Sequence, residues 1–116
     1  MSSKPATSRV LDDLYKVILK RRRANPKVSR TARLFKMGRG KIAQKTGEEA
    51  VEVIVAALHE TPRKVVAESA DLLYHLLVLW AERRVKPRDV FRELAVRMGV
   101  SGIKEKKSRS KKKKKI

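Results

Sequence analysis

The chain contains no cysteine in 116 residues. Disulfides, zinc–thiolate centres and thiol nucleophiles are therefore excluded, and a reducing compartment such as the cytoplasm is the expected setting. Aromatic residues are scarce, with one Trp, two Tyr and two Phe. Five rings give no stacking array of the kind that single-strand nucleic-acid binders use. Long hydrophobic runs are also missing. The longest, residues 72–81, is too short to span a bilayer and includes Tyr74 and His75. Residues 1–9 carry no apolar run, so no secretory signal is expected. Period-two alternation and solenoid-length repeats are absent, which leaves helices as the expected building blocks.

Acidic residues are few, 12 against 31 Lys and Arg, for a net charge of +19. The excess is uneven. Residues 104–116 hold nine Lys or Arg and one Glu, and the remainder keeps 22 basic against 11 acidic residues, a net +11. A basic body points to an anionic ligand, either nucleic acid or a polyphosphate small molecule. With 41% apolar residues the chain can pack one modest core. The expected organisation is a leader over residues 1–8, a helical domain over residues 9–103, and a disordered lysine-rich tail over residues 104–116. The tail serves either as a solubilising appendage or as an electrostatic contact for nucleic acid or an acidic partner.

Helical spacing of Val10, Leu11, Leu14, Val17 and Ile18 predicts an amphipathic helix over residues 10–22, capped by Ser8 and ended by Asn25-Pro26. Residues 27–40 read as a basic loop with at most one helical turn, closing in Gly38-Arg39-Gly40. A second helix is predicted over residues 41–59, with Ala43, Ala50, Val53, Ile54 and Ala57 as its apolar stripe. Gly47 sits inside it at a cost of about 1 kcal/mol relative to Ala, which suggests close packing or a ligand there. Thr61-Pro62 starts a third helix over residues 62–83, the most buried, through Val65, Leu72, Leu73, Leu76, Leu79 and Trp80. Pro87 opens a fourth, over residues 87–98, with Val90, Leu94 and Met98 inward and Gly99 as its stop. The fold expected is all-α, with four helices. So small a chain leaves the face at residues 72–80 partly open, and a homodimer would close it.

The acids that remain are concentrated. Glu48, Glu49 and Glu52 fall in the second helix, and Glu68 and Asp71 in the third. Glu49 and Glu52 are three apart, as are Glu68 and Asp71, so each pair shares a helix face. Two helices side by side would bring four carboxylates together at the edge of an apolar seam, where bundles build metal sites. A hard divalent ion, Mg²⁺ above all, suits such a cluster. The plainer reading is a set of solvated faces, with Lys45 pairing Glu49 and Lys64 pairing Glu68 at helical spacing, each worth about 0.2–0.5 kcal/mol. His75, four after Asp71, is either a hydrogen-bonded core histidine or an orienter of that carboxylate.

The pattern Glu-Glu-x-x-Glu followed by Glu-x-x-Asp resembles the MazG-like all-α nucleoside triphosphate pyrophosphatases. Val10-Leu11-Asp12-Asp13-Leu14-Tyr15, Thr31-Ala32-Arg33-Leu34-Phe35, Gly47-Glu48-Glu49-Ala50 and the run from Ala70-Asp71-Leu72-Leu73-Tyr74-His75 to Leu79 narrow the resemblance to the phosphoribosyl-ATP pyrophosphatase family. The resemblance implies a MazG-like helical bundle and hydrolysis of phosphoribosyl-ATP to phosphoribosyl-AMP and pyrophosphate, the second step of histidine biosynthesis. It implies Mg²⁺ held by Glu49, Glu52, Glu68 and Asp71, with Glu48 left to orient or deprotonate the attacking water. Arg33, Arg39, Lys41 and Lys45 would neutralise the triphosphate. One departure falls at Ser29-Arg30-Thr31, where the family usually has Ser-Tyr-Thr; the arginine either serves a phosphate or ribose or faces water. A house-cleaning (d)NTP pyrophosphatase shares the acidic pattern. A small basic nucleic-acid-binding protein would explain the charge but leaves the five acids without a role, and no helix-turn-helix spacing is evident.

Overall fold

The computed structural model describes residues 6–99, and the lysine-rich tail lies outside them. The described residues form five helices and no strand: α1 (Arg9–Arg21), α2 (Arg30–Met37), α3 (Arg39–His59), α4 (Pro62–Glu82) and α5 (Pro87–Met98). The all-α expectation holds, with one helix more than the periodicity indicated. Among the described residues, no helix is long and apolar enough to cross a membrane.

The additional helix is α2, in the segment read as a loop. Its N-terminus is capped by Ser29, whose Oγ accepts from the Ala32 amide at 3.1 Å. Gly38, at φ +94°, separates it from α3, a backbone conformation that favours glycine. Eight residues are too few for a periodic pattern to stand out. Thr31, Ala32 and Leu34 are nonetheless buried, which anchors α2. Ser8, by contrast, makes no side-chain cap; the Arg9 amide instead donates to Thr7 Oγ1 at 3.3 Å.

Helices α3 and α4 form an antiparallel hairpin and share the largest interface in the fold. Their connection is short because Thr61 Oγ1 caps α4, accepting from the Lys64 amide at 3.2 Å, with Pro62 at the first helical position. At the other end of α4 the chain reverses through Arg84, in the left-handed region at φ +59°. Asp89 then caps α5 by accepting from the Lys86 amide at 3.1 Å. The core gathers Tyr15 and Ile18 of α1, Leu34 of α2, Ile42 of α3, and Leu77, Val78 and Ala81 of α4.

Several apolar residues expected inside lie elsewhere. On α3 the buried pair is Ile42 and Ala56, whereas Ala43, Ile54 and Ala57 are exposed. On α4 the fully inward face is His75, Leu77, Val78 and Ala81, and Leu73 is exposed. Leu94 and Met98 of α5 face outward; Pro87, its first residue, is its one fully buried residue, and Val90 is half-buried. The cause is common to all three: each helix carries apolar side chains on more than one side, and docking selects among them. Nor does Gly47 mark close packing, since a Cβ built there meets nothing within 4 Å.

Tyr15 ties the two ends of the fold together. Its hydroxyl donates to the Val85 carbonyl at 2.7 Å, joining α1 to the α4–α5 turn. Burial, reinforced by the charge of Asp89 and opposed by Arg22, holds this hydroxyl above the usual tyrosine pKa. The folded state therefore binds the phenolic proton more tightly than the unfolded chain. That stabilisation is full below about pH 10 and is lost as pH rises through the folded-state value. Tyr15→Phe is expected to cost about 1 kcal/mol at neutral pH and to flatten the fall in stability above pH 10. Denaturant titrations of both proteins from pH 7 to 11 check this, and parallel alkaline profiles would refute it.

Candidate active site

Glu49, Glu68 and Asp71 meet where the hairpin faces solvent. Each offers one carboxylate oxygen, and the three oxygens lie within 4.8 Å of one another. Glu49 and Glu68 are half-buried and Asp71 is exposed. Antiparallel packing of α3 on α4 makes this cluster from two segments nineteen residues apart in sequence at their closest members, Glu49 and Glu68. At that spacing each pair repels by about 1 kcal/mol in water-like surroundings and by more where water is excluded. A cation relieves the repulsion. The donor set is all oxygen and carries no sulfur or imidazole, which fits a hard divalent ion.

Glu52 is not part of the group of three. It lies about 60° round the helix from Glu49, is exposed, and its charge acts on Lys64. Glu48 is exposed too, and its Oε2 accepts from Gln44 Nε2 at 2.9 Å. Lys64 Nζ sits 3.2 Å from Glu68 Oε1, the pair that i, i+4 spacing predicted. This hydrogen bond, then the charges of Glu68, Glu60 and Glu52, raise the Lys64 pKa. The pair is half-exposed on the lysine side, so its role is to place the Glu68 carboxylate more than to stabilise the fold.

Lys45 makes no ion pair with Glu49. It is half-buried and lines a cavity of about 220 Å³ together with Arg30, Arg33, Leu34, Met37 and His75. Arg33 reaches this cavity from α2 while its Nη1 donates to the Pro26 carbonyl at 3.1 Å. The other two expected cations stand apart from it. Arg39 pairs with Glu82 at 3.6 Å, and Glu82 also receives Arg22 at 3.1 Å. Lys41 is exposed and outside that cavity.

His75 is buried, as a core histidine should be, but it does not hold the Asp71 carboxylate. Its Nδ1 lies 2.8 Å from the Asp71 main-chain carbonyl. A carbonyl only accepts, so Nδ1 carries the proton and Nε2 is left as an acceptor. Arg30 Nη2 lies 3.4 Å from that Nε2, and the Arg30 guanidinium sits 5.2 Å from the centre of the Tyr74 ring. Thr31 Oγ1 and Tyr74 OH are hydrogen-bonded at 2.7 Å. Both Tyr74 and His75 thus have polar partners on α2, a segment that reads as a loop in the sequence. The signal available in sequence was the pair Arg30-Thr31 just after a capping serine.

Comparison with known proteins places this chain in a family. The family model described as phosphoribosyl-ATP pyrophosphohydrolase matches residues 11–98. A phosphoribosyl-ATP pyrophosphatase of Paramagnetospirillum magneticum is 61% identical over 105 residues, covering 90% of this chain and 96% of that protein. That of Rhodospirillum rubrum is 58% identical over 109 residues, covering 94% of this chain and 93% of its own length. That of Azospirillum brasilense is 48% identical over 109 residues, covering 94% and 98%. Matched along nearly its whole helical body, this chain belongs to the phosphoribosyl-ATP pyrophosphohydrolase family.

Proposed function

We propose that the protein hydrolyses phosphoribosyl-ATP at the α–β phosphoanhydride, giving phosphoribosyl-AMP and pyrophosphate, in the cytoplasm, as the second step of histidine biosynthesis. The observation that carries this reading is the three-carboxylate group of Glu49, Glu68 and Asp71 in a chain of that family. Glu49, Glu68 and Asp71 would hold Mg²⁺, with Glu52 completing the set from one turn further along α3. Bound there, Mg²⁺ supplies charge neutralisation and polarisation of the phosphate. Glu48 orients the attacking water and accepts its proton as the oxygen adds to the α-phosphorus and the bridging P–O bond breaks. Lys45 and Arg33 neutralise charge building on the departing oxygens. Lys41 and Arg39, further out, add to the positive field that draws a polyanion in.

Pyrophosphate release from phosphoribosyl-ATP, set against ATP and the deoxynucleoside triphosphates with and without Mg²⁺, tests the proposal. Metal-dependent turnover of phosphoribosyl-ATP alone is the expected result. Turnover of the simpler triphosphates in its place would assign the chain to house-cleaning instead.

The protein works, on this reading, as a homodimer. Val51, Ile54, Val55 and Leu58 of α3 are exposed, and Val66 and Leu73 extend the same kind of surface onto α4. The face expected to need closing, residues 72–80, is buried or half-buried apart from Leu73. Helical spacing instead puts Val51, Ile54, Val55 and Leu58 on one exposed apolar stripe of α3, the kind of surface that calls for a partner. Light scattering should give twice the chain mass for the wild type and a shift to monomer for Leu58→Lys. A monomeric wild type at micromolar concentration would sink the assembly.

A further inference from the structure

Two cavities beside the hairpin have no carboxylate in their walls. The smaller, about 220 Å³, is the one that holds Arg33, Lys45 and His75. The larger, about 630 Å³, lies against Arg21, Ser29, Thr31 and Tyr74. Arg30 lines both. Two others differ: that between α1 and α5 includes Asp12 and Asp13, and that on α5 includes Asp89 and Glu93. Three cations, Arg30, Arg33 and Lys45, thus line one small space. Among the described residues none of the three is in an ion pair with a carboxylate. Arg30 and Arg33 are exposed and Lys45 half-buried, so an anion from solvent can reach all three and relieve their mutual repulsion.

Arg30 is the best placed of the three. Helix α4 positions its guanidinium twice, through His75 Nε2 at 3.4 Å and the Tyr74 ring at 5.2 Å. One of its five N–H donors is directed at His75, and the others remain for a ligand. A planar fork of this kind matches phosphate oxygens. The smaller cavity falls below the roughly 300–1,000 Å³ of sites for drug-sized ligands, so it suits a compact anion better than a whole nucleotide. Its position follows from the register of the hairpin. Lys45 lies four residues before Glu49 and His75 four after Asp71, and α3 and α4 are antiparallel. Both spacings run the same way along the seam, so the basic cavity lies one helical turn, about 6 Å, from the carboxylates.

We infer that Arg30, with Arg33 and Lys45, forms the subsite that receives the pyrophosphate leaving group. The inference rests on the phosphoanhydride cleavage proposed above. As the α–β bond breaks, its electron pair passes to the bridging oxygen, which departs with the β-phosphorus. Arg30 neutralises that pyrophosphate one turn from the carboxylates.

Equilibrium binding of inorganic pyrophosphate to the full chain, measured calorimetrically without divalent metal, tests the subsite apart from turnover. Arg30→Gln is expected to weaken binding on the order of tenfold, the loss of one charge-assisted contact. Arg30→Lys, which keeps the charge without the fork, should recover part of it and shows that the position tolerates exchange. Arg88→Gln, on α5, removes equal charge elsewhere and should bind as the wild type does. In steady state, Arg30→Gln should raise the inhibition constant of pyrophosphate by the same factor and leave that of phosphoribosyl-AMP unchanged. Unaltered binding in Arg30→Gln, or an equal loss in Arg88→Gln, would overturn the subsite. A wild type that binds pyrophosphate through Arg30 but leaves phosphoribosyl-ATP intact would overturn the substrate proposed above and keep the subsite.

Discussion

Glu49→Gln should abolish most Mg²⁺-dependent turnover, by ~10²-fold or more, while making the metal-free protein more stable. The two effects have one cause. Glu49 holds an oxygen within 4.8 Å of oxygens on Glu68 and Asp71. Removing its charge relieves repulsion worth about 1 kcal/mol at a half-exposed position. In a domain of this size that is roughly a 4–8 °C rise in Tm. The same change removes a donor for the cation, so the stabilisation on adding Mg²⁺, about 2.7 kcal/mol at a hundredfold excess over Kd in the wild type, and the Tm rise that reports it should shrink sharply. Thermal melts with and without Mg²⁺, beside a pyrophosphate-release assay, read all three. Undiminished turnover, or a metal-free Tm below that of the wild type, would remove Glu49 from the site.

Ile42→Ala should do the reverse, lowering stability by about 3 kcal/mol and leaving the chemistry intact in the cold. Ile42 is fully buried in the core, between Tyr15 and Ile18 of α1, Leu34 of α2 and Leu77 and Val78 of α4. Truncation there loses transfer energy and leaves a cavity that four helices cannot jointly collapse around. Against a total of about 5–15 kcal/mol for a domain, that loss is large, and roughly 15 °C of Tm should go with it. The melts belong at one fixed protein concentration, because a dimer's stability depends on it. A loss below 1 kcal/mol would mean that Ile42 is not central to the core. Together the two variants separate the groups that carry chemistry from those that carry the fold.

The site was legible in part, and the reason lies in how far each signal reaches. Glu68 and Asp71, with Lys64 set four residues before Glu68, follow from spacing on a single helix, and all three fall where that spacing puts them. Glu52 satisfies the same spacing with Glu49 yet stays outside the group, because a face about 60° wide can put one of two carboxylates on the seam and the other beside it. By sequence Lys45 either pairs with Glu49 on its own helix or neutralises the triphosphate, and in the fold it lines a cavity beside α2 instead of pairing. Only the docking of α2 decides for the cavity. Arg30 could not be placed at all until α2 was known to be a helix, since its contacts with Tyr74 and His75 span more than forty residues.

By itself the sequence determined what is local: helices in place of strands, the ends of α4 and α5 through Thr61-Pro62, Pro87 and Gly99, the acidic pairs on α3 and α4, and the motifs of the family. Those features depend on backbone propensity and on neighbours within one or two turns. Tertiary structure decided which apolar face of α3, α4 and α5 turns inward, that α2 joins the core, which three carboxylates meet, and that Arg30, Arg33 and Lys45 share one cavity. Helical periodicity fixes the angles between side chains on one helix but not the rotation of that helix against its neighbours. Where apolar residues occupy several sides, as on α3 and α4, that rotation is set by packing among all the helices at once.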